Sequence, residues 1–289
     1  MYLLLAVSII WALSFGLTAQ VAGLGAPFVT AARTVLAALV FLPFLDVKGL
    51  SPRRVLAFAG IGALQFGFMY LLYIESFRWL RPSEVALFTI FTPLFVTLVS
   101  DLFAGRVAWK TLLVAALAVA GTGICVWSGL GRAGMLRGFL LMQGANLCFA
   151  LGQVLYRRAA PASGKRDRDL MGVLYLGAAA VAVAMAAPAI QWDRVLGMDL
   201  RQGVVLLYLG LMASGLGFFL FNAGARRTDI GTLAIFNNMK IPLAILASGL
   251  IFREPVDWPR LAAGGAVIAC ALGLNGAAVA RRGSGPEGP

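Results

Sequence analysis

The sequence predicts an all-α integral membrane protein whose ten transmembrane helices form two inverted five-helix repeats. Three observations carry that prediction. The 289-residue chain is 61% hydrophobic and only 12% charged, where soluble domains carry ~25% charged residues. A single soluble core could not hide so much apolar surface, whereas lipid solvates it. The apolar residues gather into ten runs of spanning length, and the two halves of the chain match in register.

A helix needs roughly 20 mostly apolar residues to cross the hydrocarbon. The runs are Tyr2–Val21, Pro27–Leu45, Val55–Ile74, Val85–Leu102, Thr111–Trp127, Leu136–Tyr156, Leu170–Ile190, Gly203–Asn222, Thr232–Phe252 and Leu261–Ala280. They lack the period-2 alternation of barrel strands and are too long for them. The breaks carry turn chemistry, as at Ser51-Pro52, Arg81-Pro82-Ser83 and Trp258-Pro259. The first run has no basic leader and has a counterpart in mid-chain, so it is expected to be a true span rather than a signal peptide. The 34 glycines would weaken helices in water, but small residues let membrane helices pack closely. Gly265, Ala269 and Gly273, four residues apart in the last run, read as such a packing seam.

Charge orients the helices. The net charge is +12, but the basic residues sit mainly in the short breaks, which reads as topology control rather than nucleic-acid binding. With the N-terminus in the cytoplasm, the even-numbered loops and the C-terminal tail hold fourteen of the 24 Lys and Arg and the odd-numbered loops hold eight; Arg33 and Lys240 lie inside helices. Both ends are therefore expected on the cytoplasmic face.

Composition also excludes chemistry. The chain has no histidine, so Ser-His-Asp and Cys-His catalysis, His-bound zinc and a histidine proton switch are ruled out. Cys125, Cys148 and Cys270 lie inside apolar runs without metal-ligand spacing. There is no phosphate loop, and Glu75, Glu84 and Asp101 sit near helix ends. No metal or cofactor is expected. A membrane-embedded enzyme without metal and a channel-like facilitator stand as alternatives to a carrier.

Shifting the first half by 149 residues places Pro93 on Pro242, Leu94 on Leu243, Phe103 on Phe252, Val107 on Val256, Trp109 on Trp258 and Leu112 on Leu261, without a gap. A shift of 138 places Trp11-Ala12-Leu13-Ser14 on Phe149-Ala150-Leu151-Gly152. The expected units are 1–133 and 134–289, the second ending in a short disordered tail. Because five is odd, the second unit inserts upside down relative to the first. That plan recurs in secondary transporters that work by alternating access.

With Trp11-Ala-Leu-Ser-Phe15, Arg33 followed by Leu-Ala-Ala, and a Pro-Leu helix leading into Phe103-Ala-Gly-Arg and again into Phe252-Arg-Glu-Pro, the chain resembles the drug/metabolite transporter superfamily, specifically its EamA-like ten-helix transporters. The family's turn usually reads Gly-Glu, and each turn here keeps one of the two residues. The resemblance spans about residues 1–280. It implies two five-helix bundles around a central cavity, residence in a bacterial inner membrane, and export of amino acids, amines or related metabolites. A small metabolite and the lipid bilayer are then the partners. Proton coupling, and a monomer or homodimer, stay open.

Polar groups inside the hydrocarbon are costly and point to a cavity. Lys240 lies about nine residues into the ninth run, too deep for easy snorkelling. Asn237 is one turn before it, Asn238 is near, and Pro242 removes a backbone hydrogen bond close by. Lys240 is expected to face the cavity and attract a substrate carboxylate; the competing reading is a structural lysine. Arg33, near the outer end of the second run, either guides anions at the cavity mouth or snorkels and pairs with Glu75 or Glu84. Trp11, Ser14 and Phe15 share part of the first helix. Gln65, with Met69 one turn on, and the amides Asn146 and Gln153 complete the candidate substrate-binding set, with interhelical hydrogen bonding as the alternative for the amides. Tyr70 and Tyr73 read as an interfacial aromatic belt.

Overall fold

The computed structural model describes residues 2–105, 133–226, 240–241 and 243–253, together with 258–259, 262–263, 266 and 270. Seven helices among them are long and apolar enough to cross a bilayer, and no strand occurs among the described residues. They are α1 (Tyr2–Ala22), α2 (Ala26–Phe44), α3 (Pro52–Ser76), α4 (Pro82–Phe103), α5 (Met135–Ala159), α6 (Asp167–Ala186) and α7 (Leu200–Ala225). Residues 240–241 and 243–250 are helical within the predicted ninth run. The predicted fifth run, Thr111–Trp127, lies outside the described residues, as do most of the tenth and its seam residues Gly265, Ala269 and Gly273.

Four of these helices begin three residues before the apolar run that predicted them, at Pro52, Pro82, Asp167 and Leu200. The first turn of a helix has amides with no partner inside the helix, so it sits in the polar interface and takes Pro or acidic residues. Pro52 and Pro82 open α3 and α4. Asp199 caps α7, accepting from the Gln202 amide at 2.7 Å while the Gln202 side chain accepts from the Asp199 amide at 3.2 Å.

Three spans depart from regular α geometry in mid-helix, and α2 ends in a 3₁₀ turn at Leu42–Phe44. In α3 the stretch Ala63–Phe68 is π-helical, and in α7 Tyr208–Leu216 is. In α4 a 3₁₀ turn at Thr89–Phe91 precedes Pro93. Such irregular turns release carbonyls from the helix and are frequent at functional sites.

Small residues bring α3 against α6. A Cβ on Gly62 would stand 1.8 Å from the Leu174 carbonyl oxygen, and one on Gly177 would stand 2.0 Å from that of Ala59. Both obstacles are backbone, so relief requires the helices to part. Gly62→Ala is therefore expected to destabilise the protein by about 1–3 kcal/mol, the range of overpacked cores. Gly60→Ala, two residues away and with nothing within 4 Å, should be neutral or slightly stabilising. Thermal midpoints of the two purified variants check this; equal midpoints would contradict the packing argument.

The helix ends define two faces of the bundle. At one, the Lys165 ammonium donates to Asp46 at 2.5 Å, Arg54 Nη1 donates to the Ala162 carbonyl at 3.0 Å, and Arg226 pairs with Asp167 at 2.6 Å. The hydrogen bond from Lys165 holds the Asp46 carboxyl below its usual range, so the pair is present at neutral pH and is lost only as pH falls through that lowered value. At the other face, Arg194 donates to the Gly23 carbonyl at 3.1 Å, and Gly134 packs on Trp79. Helices α1, α3 and α6 start at the Asp46–Lys165 face; α2, α4, α5 and α7 start at the opposite one. Large apolar side chains such as Leu56, Leu102, Leu136 and Leu250 point outward from the bundle, as lipid contact requires.

Candidate functional site

A cavity opens among α1, α2, α3, α4, α5, α7 and the helix carrying Lys240. Its interior is narrow, with about 70 Å³ open to the centres of water-sized molecules. Its walls include Trp11, Ser14 and Phe15 of α1, Arg33 of α2, Met69, Tyr70 and Tyr73 of α3, Asn146 and Phe149 of α5, Phe218 of α7, and Lys240.

Lys240 is only 7% exposed, and its Nζ stands 4.9 Å from the centre of the Trp11 ring, within cation–π range. The indole is also fixed at its edge, since Nε1 donates to the Ala213 carbonyl at 2.9 Å. Ala213 lies in the π-helical part of α7. Ser14 Oγ donates to the Trp11 carbonyl at 2.8 Å.

Arg33 neither snorkels nor pairs with a loop acid. It is 2% exposed, and it donates from Nε to Ser214 Oγ at 3.0 Å, from Nη1 to Thr18 Oγ1 at 3.1 Å and from Nη2 to the Tyr70 hydroxyl at 2.9 Å. Its guanidinium also lies 4.0 Å over the Tyr70 ring. Glu75 instead pairs with Arg78, and Glu84 accepts from the Arg81 amide. The reason is the π-helical turn of α7, which carries Ser214 into reach of α2 and makes a dry, polar pocket for the cation. Tyr70 and Tyr73 are likewise buried cavity walls rather than members of an interfacial belt.

Asn146 makes the interhelical hydrogen bonds expected as its alternative and also stands in the cavity wall. Its Nδ2 donates to the Phe88 carbonyl at 2.8 Å and to Gln143 at 3.2 Å, its Oδ1 accepts from Thr92 at 3.1 Å, and it lines the cavity. Gln65 and Gln153 are buried but are not among the cavity walls. Gln65 packs on α5 so closely that a Cβ on Gly152 would lie 2.3 Å from its own, and neither atom of its amide has a hydrogen-bond partner among the described residues. A buried polar group left so costs about 1–3 kcal/mol. Asn237 and Asn238 lie outside the described residues.

Sequence reasoning missed Thr89, Thr92, Met142, Ala145, Phe149 and Phe218, all cavity walls. Pro93 was the available signal: it matches Pro242, and like Pro242 it follows cavity residues. In the same register the counterpart of Lys240 is Phe91, so the ammonium stands on one half alone.

The electrostatics are one-sided. Two cations, Arg33 and Lys240, line the cavity, and no Asp or Glu does among the described residues. Around them lie aromatic rings and neutral hydroxyls and amides. Such a wall attracts an anion that also carries apolar bulk.

The model of the EamA-like transporter family matches residues 1–127 and 136–276. A protein of Pseudomonas aeruginosa described as a probable biotin transporter is 41% identical over 276 residues, which cover 94% of this chain and 96% of that one. A biotin transporter of Salmonella typhimurium is 37% identical, over 98% of this chain and 95% of the relative. A protein of known crystal structure superimposes with a TM-score of 0.65 over 97% of this chain and 98% of its own, at 21% identity, a likeness of fold alone.

Proposed function

This chain belongs to the EamA-like transporter family, and from that premise we propose that it carries biotin, or a ureido carboxylate of the same build, across a bacterial inner membrane by alternating access. The observation that carries the reading is the cavity with two cations and no acid among its described walls, in a chain 41% identical to a probable biotin transporter. Biotin is a monocarboxylate on an aliphatic tail, joined to a compact bicycle with a ureido group. The Lys240 ammonium takes the carboxylate. Trp11, Phe149 and Phe218 cover the tail and ring. Asn146, Thr89 and Thr92 face the ureido edge, which both donates and accepts. Relatives described as biotin transporters favour this cofactor over the amino acids that the family resemblance implied, and membership of a transporter family leaves the enzyme alternative without support.

The carrier is read as ten helices in two inverted units. The family model matches two separate stretches, and α1 and α5 start on opposite faces of the bundle. The π-helical part of α3, moved by 149 residues, falls on Met212–Gly217, overlapping that of α7. Interrupted helices in corresponding positions of two halves are expected beside a transporter's central site. Both chain ends then lie in the cytoplasm. Net direction, export in the reading from the resemblance, is set in such a carrier by the gradients of substrate and of any coupled ion.

Reconstituted in liposomes, the protein is expected to move tritiated biotin saturably and unchanged. Unlabelled biotin should compete and amino acids should not, and counterflow in both orientations gives direction. Linear, non-saturating flux would favour a channel, and absence of biotin movement would overturn the substrate assignment.

A further inference from the structure

We propose that Gln65, Gln153 and Asn222 form a second polar station for the substrate beneath the aromatic floor of the cavity, exposed when the protein faces the opposite side of the membrane. The station rests on the reading of the chain as a carrier. Its ligand class is the neutral, hydrogen-bonding head of the substrate, a ureido or carboxamide group, rather than the carboxylate.

The floor is a packed set of rings. Trp11 lies 4.8 Å from Phe218 and 5.1 Å from Phe221, Phe66 lies 4.8 Å from Phe218, and Phe149 lies 5.8 Å from Phe218 and 5.6 Å from Phe221. Phe149 and Phe218 also face the cavity. Each amide sits just past one of these rings, toward the Asp46–Lys165 face. Gln65 precedes Phe66 on α3, which starts at that face. Gln153 follows Phe149 by one turn on α5, and Asn222 follows Phe221 on α7, both running toward it. The other cavity walls of these helices, such as Tyr70 and Asn146, lie on the opposite side of the rings.

These amides are buried, at 0% exposure for Gln65, 2% for Gln153 and 1% for Asn222. Both atoms of the Gln65 amide and the Asn222 Oδ1 have no hydrogen-bond partner among the described residues, and Asn222 Nδ2 reaches only the Met171 sulfur at 3.6 Å. Polar groups kept dry and unsatisfied in one conformation call for a partner in another. A primary amide donates and accepts at once, which matches a ureido edge and does not require charge. Placed past the floor, such groups hold the head of the substrate as the rings part and the carboxylate leaves Lys240.

Two measurements on the full chain test this. Gln65→Leu and Asn222→Leu keep size while removing hydrogen bonding. Biotin binding to the purified variants should stay within about twofold of wild type, while counterflow in liposomes falls about tenfold or more, the step expected for a lost hydrogen bond of ordinary strength. Unchanged counterflow, or binding that falls as far as the rate, would overturn the station. In a background with Cys125, Cys148 and Cys270 replaced by Ser, Gln65→Cys and Asn222→Cys should react with a membrane-impermeant thiol reagent from the Asp46–Lys165 face alone, and Asn146→Cys from the other face. Labelling of the first two from neither face, or from the Asn146 face, sinks the proposal. This readout needs no substrate, so a wild type that moves no biotin would refute the substrate while the labelling still decides the station.

Discussion

Lys240→Met is expected to raise the half-saturating biotin concentration by on the order of 30-fold or more, since stripping one partner from a buried charge pair costs ~2–5 kcal/mol. Methionine keeps the length and apolar stem of lysine, so the change removes little except the charge. The charge stands in a wall without a carboxylate among its described members, 4.9 Å over the Trp11 ring. On the proposed reading, the substrate carboxylate is the counter-charge that Lys240 meets in the cavity. The discriminating measurement adds biotin amide, in which the carboxylate is neutral. If Lys240 binds that carboxylate, the two removals are not additive: Lys240→Met should cost biotin heavily and the amide little. Equal losses for both ligands, at wild-type levels of folded protein, would make Lys240 a structural lysine.

That site was partly legible in the sequence. Lys240, Trp11, Ser14, Phe15 and Asn146 stand out because charge, amide and indole are expensive or unusual in an apolar run, and bilayer thickness fixes run lengths well enough to place them near mid-membrane. All five line the cavity. What misled was local backbone geometry. Aligning Gln65 with Met69 assumed 3.6 residues per turn, but Ala63–Phe68 is π-helical, so the face changes between them. The π-helical turn Tyr208–Leu216 likewise turns Ser214 toward Arg33, and no residue preference in Tyr-Leu-Gly-Leu-Met-Ala-Ser-Gly-Leu announces it. Tyrosines near helix ends have two stable settings, interface or cavity. Only the packing of α3 against its neighbours decides between them.

Arg33→Lys should be nearly as damaging as Arg33→Leu, although it keeps the charge, and the damage should take a different form from that at Lys240. The guanidinium spreads three donor nitrogens to three helices: Thr18 on α1, Tyr70 on α3 and Ser214 on α7. An ammonium radiates its donors from one atom and lacks the flat face that stacks on Tyr70. Losing one or two charged hydrogen bonds from this pocket costs roughly 2–4 kcal/mol, read as a lower thermal midpoint and a lower folded yield. Ser214 extends the lock: its hydroxyl stands 2.8 Å from the Tyr70 hydroxyl, and its carbonyl accepts from Tyr175. Ser214→Ala is therefore expected to reproduce the Arg33→Lys pattern at about 1–2 kcal/mol. Because the Arg33 donors are already engaged by the protein, transport should fall through the maximal rate more than through half-saturation. Biotin and its amide should suffer alike. A variant that hurts biotin while sparing the amide would instead make Arg33 a second carboxylate ligand, released from its hydroxyls when substrate arrives. The pair of ligands thus separates the two buried cations, the one proposed to read the substrate's charge and the one expected to hold together the helices around it.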